Sequence, residues 1–277
     1  MTQAQTRLLR NPQPLDNDTL RRYAPSVFAE KPWERMSAKY TYIPTINVVN
    51  AMRREGLLPV SVTESRSRIE GRQGFVRHQI RFRDMRHGDA PVLRELGALY
   101  PEIVFTNSHD GASRAELMAG LFRLICLNGA VVADGTLTNA SVRHTGNADK
   151  VIEASYEIID QFPQMLDNVQ KFSQIQLAAP EQQILAEAAL QLRYETPDET
   201  PITVEQALKP RRYADSANPN LWNTYNVLQE NLTKGGLAVQ GAKTRRSTRA
   251  VNGITENNKL NKGLWTLMTK MAELKTA

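Results

Sequence analysis

Apolar and polar positions alternate with a period of two from Leu58 to Thr63, with Leu58, Val60 and Val62 set against Pro59, Ser61 and Thr63. The alternation breaks over Gly71 to Gly74 and resumes with Val76, His78, Ile80 and Phe82 against Phe75, Arg77, Gln79, Arg81 and Arg83. That pattern predicts a strand pair with one apolar face and one arginine-bearing face. Just upstream, Pro44 and Thr45 are helix-start signals, Ile46, Val49 and Met52 recur at helical spacing, and Gly56 ends the run. Ile103-Val104-Phe105 reads as strand, whereas the apolar residues of Ala115 to Leu127 are too continuous to separate a helix from one or two strands. The glycines and β-branched residues after Asn128 favour hairpins. Beyond Gly146 the period becomes helical: Val151, Ile152, Ser155, Ile158, Ile159, Phe162, Met165, Leu166, Val169 and Phe172 mark one long amphipathic helix that Pro163 should kink or split. Further helices are predicted at Glu181 to Tyr194, Leu221 to Leu232 and Asn257 to Leu274, with a linker from Pro197 to Pro210 that holds one short helical turn.

These elements define an α+β chain in three segments. Residues 1–39, broken by Pro12, Pro14, Pro25 and Pro32, form an extended or partly disordered arm. Residues 40–146 form a β-rich core with one helix, and residues 147–277 a helical region with a basic C-terminal segment. No apolar run approaches the length of a membrane span and the N-terminus has no apolar signal core, so the expectation is a cytoplasmic protein with no membrane partner. The single cysteine, Cys126, excludes a disulfide framework and a cysteine-built zinc site, and in its apolar surroundings reads as a buried, inert thiol.

Charge alters this picture. From Arg53 to Arg86 there are nine arginines, no lysine and four acids. Arginines on one strand face stand about 6.6 Å apart, near the spacing of phosphates on an extended strand, and the guanidinium fork suits phosphate. Arg77, Arg81 and Arg83 are therefore the first candidates for nucleic-acid contact, with Arg66, Arg68 and Arg143 behind them. A solvated surface is the alternative for such a face. Residues 147–207 hold eleven acids and three bases, whereas residues 231–277 hold nine bases and two acids. The second basic block adds Lys243, Arg245, Arg246 and Arg249, and the segregation fits a polyanion site beside a solvated acidic region or head-to-tail contacts between copies.

Candidate chemistry beyond charge is sparse. Asn107-Ser108-His109-Asp110-Gly111 follows a strand-like run, and it is either a tight turn or a loop that supplies a base or metal pair. The four histidines lack zinc-hydrolase spacing, and no phosphate-binding loop, dinucleotide fingerprint or nucleophile elbow occurs, so no cofactor and no metal are expected. Glu95, Glu102, Asp110 and Asp134 are scattered acids from which a magnesium-dependent nuclease site would have to be built.

Asn107 to Gly111, then Gly120-Leu-Phe-Arg-Leu-Ile-Cys-Leu-Asn-Gly129, then Arg249, Asn261 and Gly263-Leu-Trp265, resemble a family of phage- and plasmid-borne proteins known as a domain of unknown function. The similarity covers Tyr40 to Leu274 and brings no catalytic residues to transfer. In layout, a short helix, an arginine-rich hairpin, further strands and a long helix resemble the single-strand annealing proteins of the Red-beta, RecT and Rad-type group. That resemblance implies a ring or filament of subunits lining a basic groove for DNA. The resulting expectation is a non-enzymatic single-stranded DNA-binding and annealing protein that acts in recombination as a homo-oligomer. The alternatives are a metal-dependent nuclease using Asp110 and His109, or an anti-defence protein that binds a host factor through its acidic helices.

Overall fold

In a computed structural model the described residues are 13–123, 129–131, 140–141, 148–194, 200–216, 218–240 and 246–276. Arg143, Lys243, Arg245 and Cys126 lie outside them. The chain divides into two compact units, Met1–Val131 with Gly135–Phe162, and Pro163–Ala277 with Val132–Asp134. The division therefore falls at Pro163, near the middle of the helical run, rather than at residue 146. The single long helix accordingly appears as two, α3 (Ala148–Ile159) and α4 (Phe162–Gln174). Proline has no amide proton for the helical ladder and is tolerated only in a first turn, which is where α4 places it.

The first unit opens with α1 (Asn17–Tyr23), capped by Asp16 through Thr19 N at 2.7 Å, and a 3-10 turn (Pro25–Phe28). Leu20, Ala24 and Val27 are fully buried, and Leu15 N donates to Pro59 O at 2.7 Å, so from residue 15 the N-terminal segment packs along the sheet edge. After α2 (Thr45–Arg54) come β1 (Leu57–Glu64), β2 (His78–Asp84), β3 (Leu99–Asn107), β4 (Glu116–Arg123), β5 (Gly129–Val131) and β6 (Ala140–Ser141). The order is β1-β2-β3-β4-β5, antiparallel throughout, with β6 also pairing β4. Continuous apolarity made β4 ambiguous in sequence because the strand is buried on both faces, Leu117, Met118, Ala119 and Leu121 all being inaccessible.

Register sorts the side chains. Ile80 and Phe82 pair with Phe105 and Ile103, which pair with Leu117 and Ala119, and this apolar face takes α2 and α3. On the opposite face Arg81, Val104 and Met118 lie in one row, and Arg83, Glu102 and Gly120 in the next. Gly120 belongs there because a Cβ would come within 2.6 Å of the Phe122 ring.

The second unit is helical: α4 from Pro163 onward, α5 (Ala179–Arg193), α6 (Val204–Leu208), α7 (Tyr213–Ser216), α8 (Leu221–Lys234) and α9 (Ile254–Thr276). Phe172, Tyr225 and Trp265 meet ring to ring in its core, with Trp222 stacked on Tyr225. Gly235 ends α8 at φ +64, ψ −152, a conformation open essentially to glycine alone, and a Cβ there would lie 2.5 Å from the carbonyl carbon of Arg249. Gly235→Ala should therefore destabilise this unit by about 1–3 kcal/mol, read as a lower urea midpoint in the emission of the buried Trp222 and Trp265. Among the described residues no helix is long and apolar enough to cross a membrane.

Candidate functional site

The arginine row of β2 is not presented to solvent as a track. Arg83 gives Nε and Nη2 to Glu102 Oε1 at 3.0 and 2.7 Å and Nη1 to Asp89 Oδ1 at 2.6 Å, with its guanidinium carbon 3.5 Å from the centre of the Tyr100 ring. Arg81 lies 3.8 Å over Phe122, its Nε 3.2 Å from Glu102 Oε2 without hydrogen-bond alignment. Glu102 is 0 % exposed, and the side chains of Arg83 and Arg81 are 5 % and 12 % exposed. Burial pulls the Arg81 guanidinium below its ordinary value, Glu102 pulls it up, and Arg83 adds to the lowering. Alternation put both arginines on one face, as expected. The acid and the rings of β3 and β4 then turned that face inward, and Glu102, one of the scattered acids, is engaged by the two cations.

One set of exposed cations lies on the connections at one end of the sheet, while Arg54, Arg86 and Arg94 are exposed at the other. Residues 29–42 and the β1–β2 and β3–β4 connections meet at the first of these ends: Trp33 N donates to His109 O, His109 N to Phe75 O and Ser65 N to Arg77 O, each at 2.8 Å. Arg77 also bonds Ala112 O, and Tyr40 donates to Ser108 O at 2.8 Å. Asp110 is fully engaged, accepting Arg72 Nε at 2.7 Å and Ala112 N at 2.9 Å, and Gly111 turns the chain at φ +73. The Asn107 to Gly111 loop is thus a pinned turn at this point of the fold.

Beneath it lies a buried polar core. Thr45 Oγ1 sits 2.8 Å from His78 Nε2 and 3.3 Å from His109 Nε2, and accepts Asn107 Nδ2 at 3.0 Å. His78 Nδ1 donates to Val76 O at 3.0 Å, which leaves its Nε2 to accept from the Thr45 hydroxyl. Burial, with His109 beside it, drives His78 down to about 3, and burial takes His109 to about 4 against the opposing pull of the Ser26 backbone and Asp110. Glu64, paired with His78 across β1 and β2, accepts Ser26 N at 2.8 Å, and burial pushes it up to about 7. Among the described residues no three histidine, cysteine or acidic side chains are placed to hold a metal ion.

Over this core stands Trp33, partly exposed, with the guanidinium carbons of Arg35 and Arg72 at 5.1 and 5.5 Å from its ring centre. Arg35 is exposed beside it, and Arg66, Arg68 and Arg114 are exposed on the β1–β2 and β3–β4 connections. Segments 30–39, 65–77 and 108–115 together hold eight cations and four acids, one of which is the engaged Asp110. Arg66, Arg68 and Arg77 thus share the β1–β2 connection, and Trp33, Arg35 and Arg114, which strand periodicity could not reach because they lie in loops, sit on the segments hydrogen-bonded to it. The sequence signal for Trp33 was only its place in a proline-broken basic stretch. Arg246 and Arg249 belong to the second unit and are exposed there.

The sequence profile of the family described as a domain of unknown function (DUF932) matches residues 32–265. The chain belongs to the DUF932 family. UPF0380 protein YafZ of Escherichia coli (strain K12) is 41% identical over 262 residues, covering 94% of this chain and 92% of that relative. UPF0380 protein YfjQ of the same organism is 40% identical over 270 residues, covering 95% of each chain. No solved structure matches. The DUF932 match starts one residue before Trp33 and ends on Trp265, and so covers the loop-borne surface and most of each unit.

Proposed function

We propose that this DUF932 chain binds single-stranded DNA, without turnover, at the loop end of the first unit. The observation that carries the reading is the Trp33 ring flanked by Arg35 and Arg72, with the exposed Arg66, Arg68 and Arg114 on the loops hydrogen-bonded to its segment. Sequence-tolerant binding of single strands combines an aromatic platform for a base with cations for the backbone, and these residues supply both. The contact residues are therefore Trp33, Arg35, Arg66, Arg68, Arg77 and Arg114. Arg81 and Arg83 support the sheet beneath and do not touch phosphate. Annealing by an oligomer is the fuller form of the proposal, in keeping with the segregated charge blocks. A basic track that leaves base edges free is what annealing requires.

The chain has three tryptophans, and Trp222 and Trp265 are buried, so a change in emission on adding oligodeoxythymidine reports Trp33. Trp33→Ala should weaken binding by about 5- to 150-fold, the range for removal of one stacked base. Arg66→Ala with Arg68→Ala should lower the salt slope by about 0.7 for each phosphate no longer neutralised by the protein. A folded Trp33→Ala protein that binds as tightly as the parent overturns the assignment of this surface. Magnesium-dependent cleavage of the oligonucleotide would overturn binding without turnover.

A further inference from the structure

We propose that Tyr213, in the second unit, is a base-stacking residue for single-stranded nucleic acid, held out from the fold on a turn that α8 fixes in place. The inference rests on the nucleic-acid reading given for the first unit but on separate residues. Tyr213 is 90 % exposed, an extreme position for a side chain that ordinarily buries most of its ring.

The turn beneath the ring is strongly anchored. Residues 209–216 contain Pro210 and a helix of only four residues, too little local structure to hold a conformation unaided. Two buried polar residues of α8 supply what is missing. Asn231 donates to Ala207 O at 2.7 Å and Lys209 O at 3.0 Å and accepts Arg211 Nε at 2.5 Å. Glu230 takes Arg212 Nε and Nη2 at 3.1 and 2.7 Å in a bidentate pair, and Lys234 Nζ at 2.7 Å. Arg211 also caps Gly235 O, and Ser216 Oγ closes the turn on Tyr213 O at 2.7 Å. Buried amide and carboxylate groups are costly unless fully partnered, and apart from Lys234 their partners here are Ala207, Lys209, Arg211 and Arg212, the residues that lead into Tyr213. The arrangement fixes the backbone from which the ring projects, as a stacking residue needs if little entropy is to be lost on binding.

The surrounding charge selects the partner. Lys209, Arg211, Arg212 and Lys234 surround the turn, and the backbone of Arg249 packs against Gly235, whose carbonyl Arg211 holds. Against the four cationic side chains stand the buried Glu230 and Asp215 and, on α6, the exposed Glu205. An exposed ring beside excess positive charge matches a base with its flanking phosphates. The base must come from a single strand, because a duplex keeps its base faces stacked on one another.

The test uses the full-length chain and two strands of equal length, oligodeoxythymidine and a fully abasic strand. Tyr213→Ala should weaken oligodeoxythymidine binding by about 5- to 150-fold with the salt slope unchanged, because the variant removes a stacking surface and keeps every cation. Tyr213→Phe should bind like the parent, and the abasic strand should not distinguish the three proteins. Irradiation of a strand carrying 5-iodouracil should cross-link Tyr213, identified by peptide mass spectrometry. Tyr213→Ala that binds oligodeoxythymidine like the parent while Trp33→Ala fails to do so overturns this inference alone. Equal weakening on the abasic strand overturns stacking. A parent protein that binds neither strand overturns both readings.

Discussion

Glu102→Gln should destabilise the first unit by about 3–5 kcal/mol, the cost of breaking a buried pair and leaving charge uncompensated in the interior. The substitution keeps the shape of the side chain and one acceptor oxygen, so the loss reads the charge rather than a cavity. Arg83 retains Asp89, but Arg81 has no other acid within ion-pair distance among the described residues. Adding Arg81→Met to Glu102→Gln should recover part of the loss, since the orphaned cation leaves with its counterion and the thioether can pack on Phe122. Urea unfolding, with hydrogen exchange at the β2 and β3 amides to localise the effect, measures both. A Glu102→Gln protein as stable as the parent would mean that the two guanidiniums reach solvent, and would restore the strand row as a surface.

Acid should unfold the first unit from below about pH 6.5, and the two histidines of the polar core set the direction. In the unfolded chain both titrate at about 6.5, whereas in the fold His78 is held to about 3 and His109 to about 4. Their contribution is complete above pH 6.5 and is lost as pH falls toward those lower values, because the unfolded chain binds protons that the fold refuses. Each histidine removes about 1.4 kcal/mol per pH unit across that window. Glu64 acts in the opposite sense: raised to about 7, it favours the fold at low pH and loses that contribution as pH rises through 7. Its partial exposure makes the offset smaller than one histidine's share. The net expectation is a fall of roughly 3–5 kcal/mol between pH 6.5 and 4.5. His109→Gln should flatten the profile of urea midpoints against pH, whatever it does to stability at pH 7. Stability that rises on acidification, or a slope that this variant leaves unchanged, would contradict the assignment.

The amino-acid sequence by itself determined the elements and their class. Period-two alternation placed β1 and β2, helical spacing placed α2, α5, α8 and α9, and Pro163 marked where one amphipathic run becomes α3 and α4. Periods of 2 and 3.6 come from local backbone geometry, so they are written along the chain and need no partner to be read. The family was legible too, in Asn107 to Gly111 and the Gly120 to Gly129 stretch. Tertiary structure alone decided which arginines are available. Arg81 and Arg83 alternate as a surface row would, yet Glu102, Tyr100 and Phe122, brought beside them by the register of β2, β3 and β4, bury both. Periodicity distinguishes the two faces of a strand but not whether a face meets solvent, because that depends on residues distant in sequence. The same limit hid Trp33 and Tyr213. Trp33 lies in a loop and Tyr213 in a four-residue helix too short to show a period, and what makes each notable is a neighbourhood assembled from distant residues: Arg72 and His109 for one, Glu230 and Asn231 for the other.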